Sequence, residues 1–361
     1  MDGPAGAGEG SAWFAGVRAR GPVECVDLIA GADCVARGGF WVVVGDFDGR
    51  VRAWRFADVE HLGDEGLSPP PATRAPWSGP PPASWSTSMD AETYRAGVGT
   101  IRDLIRAGEV YQVNLCRVLA APLAATSGAA PDAAALAGRL ATGNPAPYAG
   151  GIQVGASAGV DPVWVVSASP ELFLRVEDGT VTSGPIKGTA TTADGLTDKD
   201  RAENIMIADM VRNDLQRICD PGTVEVTGLL AVEHHPGLVH LVTTVQGRLR
   251  TPVPDWGRVL EATYPPASVS GAPKHAALRV IAELEPGPRG PYCGAFGWID
   301  ADAGRAELAV GIRTFWWTDD GGGRLHFGTG AGITWGSEPQ AEWDETELKA
   351  HRLVALASAP P

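Results

Sequence analysis

The sequence predicts an α+β fold, built as one large domain over residues 1–361 with a substantial share of antiparallel sheet. Two observations predict it. Strand-like and helix-like segments alternate irregularly, without the fixed strand–helix period of a parallel α/β protein and without an internal repeat. The 361-residue chain is 44% hydrophobic and 20% charged, which is the composition of a globular protein with a sizeable core.

The N-terminal part, residues 1–65, contains a predicted β-hairpin. Residues 38–44 and 51–56 are strand-like, and Asp48-Gly49 between them suits a tight turn. Residues 66–87 follow, and their two runs of three prolines predict a stiff, exposed surface loop. Residues 88–361 hold the remaining predicted elements.

Helical periodicity begins at Asp90, which suits an N-cap, and Gly108 suits the end of that helix. Further helices are predicted over residues 131–141, 197–218 and 274–284, and a last one begins at Ser337 with Gln340 in a capping-box arrangement. The predicted strands of this part are residues 109–118, 162–169, 172–177, 181–183, 238–245, 296–299, 306–316 and 324–327.

The composition of the chain argues against several classes of binding partner. A formal net charge of −14 argues against nucleic acid and anionic membranes as partners. No apolar run reaches membrane-spanning length, and the N-terminus has no basic segment of a signal peptide. The five cysteines are widely spaced and form no Cys-x-x-Cys pair, which indicates reduced thiols. We therefore expect a cytoplasmic protein.

Lysine is scarce in this chain. Only Lys187, Lys199, Lys274 and Lys349 are lysines, among 29 basic residues of the Lys and Arg types. Unlike Arg, a buried Lys can lose its proton and act as a nucleophile. Lys187 is flanked by Gly184 and Gly188, and this segment taken alone favours a surface lysine in a turn.

Two helices carry acids in unusual places. Glu203 lies in a mostly apolar stretch with no basic residue four positions later, and a buried carboxylate there needs a cation, a metal or a proton. On the last helix Glu338, Glu342 and Glu345 fall on one face. That stripe is either a solvated face, with Glu345 paired to Lys349, or part of a Mg²⁺ site.

Three further features are compatible with binding or proton transfer. The small residues 328–332 precede the last helix and suit an anion. His240 lies in an apolar strand, as a satisfied core residue or a proton-transfer group, and its spacing from His234 fits no zinc site. Arg313 ends an apolar strand and needs a carboxylate, which a ligand would provide.

Several ordered motifs resemble those of the chorismate-utilising enzymes, the family of anthranilate synthase component I, aminodeoxychorismate synthase component I and the isochorismate and salicylate synthases. The resemblance covers about residues 90 to 355. The motifs are residues 108–115 (Gly-Glu-Val-Tyr-Gln-Val-Asn-Leu), Ser169-Pro170-Glu171, residues 185–189 (Pro-Ile-Lys-Gly-Thr), residues 201–214 (Arg-Ala-Glu-Asn-Ile-Met-Ile-Ala-Asp-Met-Val-Arg-Asn-Asp), residues 270–274 (Ser-Gly-Ala-Pro-Lys) and Gly330-Ala331-Gly332.

The resemblance implies the anthranilate synthase component I type of fold, in which antiparallel β-sheets pack together with helices outside. One position implies the subfamily: bacterial aminodeoxychorismate synthases resemble this chain in having Lys where anthranilate synthases have Ala, at Lys187. The hydroxylating members have a lysine base near Tyr111-Gln112, a role that Gln112 cannot take. The implied enzyme is a Mg²⁺-dependent transferase that makes 4-amino-4-deoxychorismate, on the route to p-aminobenzoate and folate.

The resemblance also implies a role for each matching residue. Lys187 would be the nucleophile, Glu171 the general acid and base, and His240 would assist loss of the ring hydroxyl. Mg²⁺ would be held by Glu203 and Glu345, with Glu342 close by. The residues implied to bind or line the substrate are Gly188, Thr189, Ser268, Tyr292, Arg313, Gly330 and Gly332.

The chain also departs from the family. The tryptophan-binding Leu-Leu-Glu-Ser-like segment of relatives has no match at residues 22–28, and no cysteine stands in a glutaminase-type nucleophile turn. We therefore expect ammonia, or a separate glutamine amidotransferase subunit, as the nitrogen donor. Two alternatives stay open: an anthranilate synthase component I, and a non-catalytic chorismate-binding subunit.

Overall fold

A computed structural model of the chain describes residues 10–63, 69–72, 76–126, 128–235, 238–251 and 253–359. Within these residues the helices are α1 Leu28–Val35, α2 Ala91–Arg106, α3 Ala133–Gly143, α4 Asp198–Gln216, α5 Trp256–Thr263, α6 Lys274–Leu284 and α7 Pro339–Ala357. The strands are β1 Gly10–Phe14, β2 Val17–Asp27, β3 Phe40–Gly45, β4 Val51–His61, β5 Ser86–Thr87, β6 Gln112–Pro122, β7 Tyr148–Val154, β8 Val163–Ser169, β9 Leu172–Glu177, β10 Thr180–Gly184, β11 Ile186–Ala190, β12 Glu225–His235, β13 Leu238–Arg248, β14 Gly271–Ala272, β15 Ala295–Asp300, β16 Arg305–Val310, β17 Thr314–Thr318 and β18 Arg324–Ile333.

The described strands pair antiparallel in one continuous ladder. Its order is β6-β18-β17-β8-β7-β1-β2-β4-β3-β15-β16-β9-β10-β13-β12, with β5 and β14 also on β6 and β11 also on β13. The rings of Phe14 on β1 and Phe296 on β15 lie 5.5 Å apart, although four pairings separate their strands. The ladder therefore folds back on itself, and its layers enclose the core.

Apolar side chains fill the space between these layers. Trp41 and Trp54 are fully buried in the main core. A second apolar cluster, which includes Leu136, Phe315 and Leu353, lies where α3 and α7 cover the sheet. Burying large apolar and aromatic side chains is the main favourable contribution to such a fold. The predicted class, α+β with packed antiparallel sheets and helices outside, is confirmed.

The N-terminal hairpin is confirmed as β3 and β4, which pair from Phe40 with Phe56 to Gly45 with Val51. Strands β1 and β2 and helix α1 are not predicted by the sequence pattern of the N-terminal part. The exposed-loop prediction for residues 66–87 is wrong at Trp77, which is only 8% exposed and donates its indole N–H to the carbonyl of Ala357. Residues 64–68 and 73–75 lie outside the described part of the chain.

The N-termini of α4 and α7 are determined by the residues at and next to their caps. Thr197 caps α4 in a capping box with Asp200. The start predicted for the last helix is wrong: Glu338 is the N-cap and Pro339 the first helical residue. Proline fits that first position because it has no N–H to satisfy. The Ser337 hydroxyl instead accepts the N–H of Thr334.

Candidate active site

Lys187 lies on β11, facing helix α4. Its Nζ is 3.9 Å from Oε2 of Glu203, and the two side chains are only 17% and 15% exposed. The interpretation of Lys187 as a surface lysine in a turn is therefore wrong. The next residue, Gly188, has φ 88°, and a Cβ there would lie 2.8 Å from Cβ of Asp200. Glycine is needed at that position because both its conformation and its space exclude a side chain.

A second strand brings a glycine to the same amine. A Cβ on Gly332 of β18 would lie 2.8 Å from Nζ of Lys187 and 2.7 Å from Nε2 of Gln112. Gln112 is only 1% exposed, and neither polar atom of its amide has a hydrogen-bond partner among the described residues. Buried amides are rarely left unsatisfied, so this one needs a partner, which a bound ligand or an ordered water would supply. The sequence motifs predict no positive role for Gln112.

Glu171 and Ser268 complete the surroundings of Lys187. Glu171 is 4% exposed, and burial raises the pKa of its carboxyl to about 7. A hydrogen bond from Ser268, the charge of Lys187 and the backbone N–H of Ile186 oppose that rise. A carboxyl with this pKa exists in both protonation states at neutral pH, so it can give or take a proton.

His240 lies on the neighbouring strand β13. It is 2% exposed, and its backbone is paired with Thr189 of β11 on one side and Glu233 of β12 on the other. His240, which is predicted to assist loss of the ring hydroxyl, is therefore paired with the residue two positions after Lys187 on β11. The side chain of Thr189, predicted to line the pocket, lies outside the described part of the chain.

The three glutamates of the predicted metal site are each close to a lysine. The Nζ of Lys199 is 3.8 Å from Oε1 of Glu203 and 3.9 Å from Oε1 of Glu342, and Nζ of Lys349 is 2.5 Å from Oε1 of Glu345. Glu342 is 5% exposed, so the interpretation of the stripe as a solvated face is wrong for it. The predicted pairing of Glu345 with Lys349 is confirmed.

The two acids on α7 differ in pKa. Burial raises the pKa of Glu342, and the charge of Glu345 adds to that effect, although a hydrogen bond from Ser337 opposes it. Burial also works to raise the pKa of Glu345, but the adjacent Lys349 ammonium outweighs it and leaves that pKa below its usual value. The helix thus presents one carboxylate that is costly to charge beside one that is already paired.

The donor set fits a hard cation in its chemistry. Carboxylate oxygens are preferred ligands of Mg²⁺, and Oε1 of Glu203 is buried without a hydrogen-bond partner among the described residues. As the side chains stand, no three His, Cys, Asp or Glu residues of the described chain are grouped closely enough to hold a metal. Glu203, Glu342 and Glu345 would hold Mg²⁺ after a rearrangement, and the metal stays a prediction.

The remaining predicted substrate residues are more dispersed. Arg313 lies in the break between β16 and β17 with φ 53°, and not at the end of one long strand as predicted. Burial lowers the pKa of its guanidinium, and no carboxylate of the described residues forms an ion pair with it. It can therefore accept an anionic ligand.

Tyr292 and Gly330 lie on the β18 side of the site. Tyr292 is 5% exposed and packs against Gly328, where a Cβ would collide with its ring. The Gly330 carbonyl accepts a hydrogen bond of 3.1 Å from Nζ of Lys349. No described contact joins Tyr292 to Lys187, and its contact with substrate stays a prediction.

The fold agrees with that of a solved structure. Anthranilate synthase component I from Streptococcus pneumoniae superposes with a TM-score of 0.74 at 24% identity, over 98% of this chain and 93% of that one. This confirms the predicted type of fold. No helix of the described residues is both long and apolar enough to cross a membrane.

Sequence relatives carry two different names. Anthranilate synthase component 1 of Aeropyrum pernix is 37% identical over 295 residues, 76% of this chain and 64% of its own length. Aminodeoxychorismate synthase of Streptomyces pristinaespiralis is 38% identical over 275 residues, 73% of this chain and 36% of its own length. The chain thus spans less than two thirds of these relatives. Residues 52–355 match the sequence profile of the chorismate binding enzymes, and the chain belongs to that family.

Proposed function

We propose that the chain acts as an aminodeoxychorismate synthase component I, which converts chorismate and ammonia to 4-amino-4-deoxychorismate in the cytoplasm, on the route to p-aminobenzoate and folate. Relatives of both names are almost equally similar, at 37% and 38% identity, so overall identity does not choose between the products. The observation that supports aminodeoxychorismate as the product is Lys187, whose amine lies inside the site, 3.9 Å from Glu203. In the family resemblance, this is the position at which anthranilate synthases have Ala.

The reaction needs two substitutions on the chorismate ring. In the first, Nζ of Lys187 bonds to C2, the two ring double bonds shift, and the bond between C4 and its hydroxyl oxygen breaks, while Glu171 protonates that oxygen so that water leaves. In the second, ammonia bonds to C4, the double bonds shift back and the bond from C2 to Nζ breaks, so the lysine leaves as a neutral amine. The new ammonium at C4 then returns one proton to Glu171, which restores its acid form. Lys187 must be uncharged at the moment of attack, because only a neutral amine has the free electron pair that bonds to C2.

Chorismate carries two carboxylates, so a net-negative protein must offer it local positive charge. Arg313, which has no carboxylate partner among the described residues, suits one carboxylate. Mg²⁺ held by Glu203, Glu342 and Glu345 would supply positive charge at the other. Gln112 lies beside Lys187, and its amide has no hydrogen-bond partner among the described residues, so it could hydrogen-bond the substrate or the incoming ammonia.

The identity of the product formed from chorismate distinguishes the proposed function from its alternatives. Purified chain is incubated with chorismate, ammonium and Mg²⁺, and the products are identified by mass and, after addition of a lyase, as p-aminobenzoate. We expect aminodeoxychorismate. Fluorescent anthranilate as the only product would instead support an anthranilate synthase, which the names of several relatives favour. Absence of any turnover would support a non-catalytic chorismate-binding subunit.

The nitrogen donor is a second, separate point. The relative from Aeropyrum pernix is named as a component 1, and we propose that this chain likewise receives ammonia from an amidotransferase subunit. Glutamine should therefore not replace ammonium when the chain is assayed alone. Turnover with glutamine by the purified chain would contradict this proposal without affecting the identity of the product.

A further inference from the structure

All four lysines of the chain are engaged with acids, and three of them surround the predicted metal site. Lys187 approaches Glu203, Lys349 approaches Glu345, and Lys199 approaches both Glu203 and Glu342. The fourth, Lys274, donates to Asp214. Three positive and three negative side chains therefore balance one another at a place where carboxylates would otherwise repel.

Lys199 differs from its neighbours because it lies between two of the acids. Its Nζ is 3.8 Å from Glu203 and 3.9 Å from Glu342, and these distances leave it in contact with each carboxylate without a short hydrogen bond to either. The two carboxylate side chains are 15% and 6% exposed, whereas the Lys199 side chain is 54% exposed. The Lys199 ammonium can therefore move into solvent, whereas the two buried carboxylates cannot.

We propose that Lys199 is an exchangeable counter-cation of this site: its ammonium occupies the space between Glu203 and Glu342 in the metal-free protein, and it moves out when a divalent cation binds. The proposal rests on the Mg²⁺ site that the proposed function includes. It assigns Lys199 a positioning role, in which it sets metal affinity without touching substrate.

The identity of the residue agrees with such an exchange. An ammonium is a compact, strongly hydrated charge on a flexible stem, whereas a guanidinium binds carboxylates through a fixed fork and is held more firmly. Removing the charge should therefore strengthen metal binding, because the metal no longer has to displace a competitor. Replacing Lys199 by Arg should weaken metal binding, because the more firmly held guanidinium is harder for the metal to displace.

The test measures Mg²⁺ binding directly, by titration calorimetry of the full chain at low ionic strength without chorismate. A parallel Mn²⁺ titration, followed by electron paramagnetic resonance of the free ion, covers the case of small heats. We expect Lys199→Met to lower the Kd about five-fold and Lys199→Arg to raise it by a similar factor. Arg258→Met is the matched control, because Arg258 lies on α5, its side chain is 80% exposed, and within the described part of the chain it forms an ion pair with Asp255, the N-cap of its own helix. It should leave the Kd unchanged.

A second readout separates exchange from simple structural support. In EDTA, Lys199→Met should have a lower Tm than wild type, since the carboxylates lose their counter-ion, and Mg²⁺ should raise the Tm of this variant more than that of wild type. An unchanged or higher Kd in Lys199→Met would overturn the proposal even if chorismate is turned over normally. If wild type binds neither Mg²⁺ nor Mn²⁺, the metal site itself fails and the proposal fails with it.

Discussion

The amine of Lys187 on β11 lies 3.9 Å from Oε2 of Glu203 on α4, so the predicted nucleophile and a predicted metal ligand are direct neighbours. Helix α4 packs across β11 and β13, and this packing holds the two side chains together. A change in the charge of one must therefore alter the field at the other. The pair therefore connects the predicted nucleophile with the predicted Mg²⁺ ligands.

Replacing Lys187 by Ala tests the nucleophile. We expect turnover of chorismate with ammonium to fall by about two orders of magnitude or more, because no other described amine lies at the same point. Intact-protein mass spectrometry during turnover should show a chorismate-derived adduct on wild type and none on Lys187→Ala. An adduct that survives in the variant would assign the nucleophile to another residue.

Glu203→Gln tests the other member of the pair. The variant keeps size and hydrogen bonding but loses a charge, so the Mg²⁺ concentration for half-maximal rate should rise about tenfold or more. Glu338→Gln is the control, since Glu338 precedes Glu342 and Glu345 on the acidic stripe of α7 but its side chain is 72% exposed, and its Oε1 is 3.9 Å from Nη1 of Arg102. An equal Mg²⁺ requirement in wild type and Glu203→Gln would remove Glu203 from the metal site.

The substitution Gly332→Ala tests whether the space beside the Lys187 amine is needed for activity. A methyl group there would lie 2.8 Å from Nζ of Lys187 and 2.7 Å from Nε2 of Gln112, and both are ends of flexible side chains. Gly332→Ala should therefore displace the two groups and lower kcat at least ten-fold, with little change in the free energy of unfolding. Gly336→Ala, where a Cβ would meet nothing within 4 Å, should leave both quantities unchanged. A loss of stability that matches the loss of activity would point to a folding defect instead.

Local features of this fold could be predicted from the sequence because they depend on near neighbours. The hairpin of β3 and β4, the Thr197 cap of α4 and the alternation of most strands follow from turn residues, caps and side-chain period. Strands β1 and β2 were missed, since Gly21-Pro22 interrupts the pattern of β2 and the short β1 is stabilised by pairing with β7.

The site could be predicted only in part. The ordered motifs identified Lys187, Glu171 and Glu203, but no spacing along the chain places Gln112 beside Lys187. These residues belong to β6 and β11, and Gly332 reaches them from β18, which pairs with β6. Their meeting depends on sheet order and on the fold-back of the ladder, which are non-local properties of the whole chain.

The pKa of Glu171 links catalysis to stability. Its folded value of about 7 lies above its ordinary value of 4.5, because burial penalises the charged form. Between those two pH values the folded chain keeps a proton that the unfolded chain has lost. The free energy of unfolding therefore falls as pH rises from 4.5 to 7, by about 3 kcal/mol in total for this group.

Glu171→Gln removes that titration while keeping size and polarity. At pH 5 wild type and variant should have similar free energies of unfolding in urea, and at pH 8 the variant should be more stable by up to about 3 kcal/mol. Its turnover should nevertheless fall about 100-fold, because an amide cannot protonate the leaving hydroxyl. In wild type the rate should decline as pH rises above about 7, where the acid form is lost. If both proteins show the same pH dependence of stability, Glu171 titrates near its ordinary value and cannot be the general acid at neutral pH.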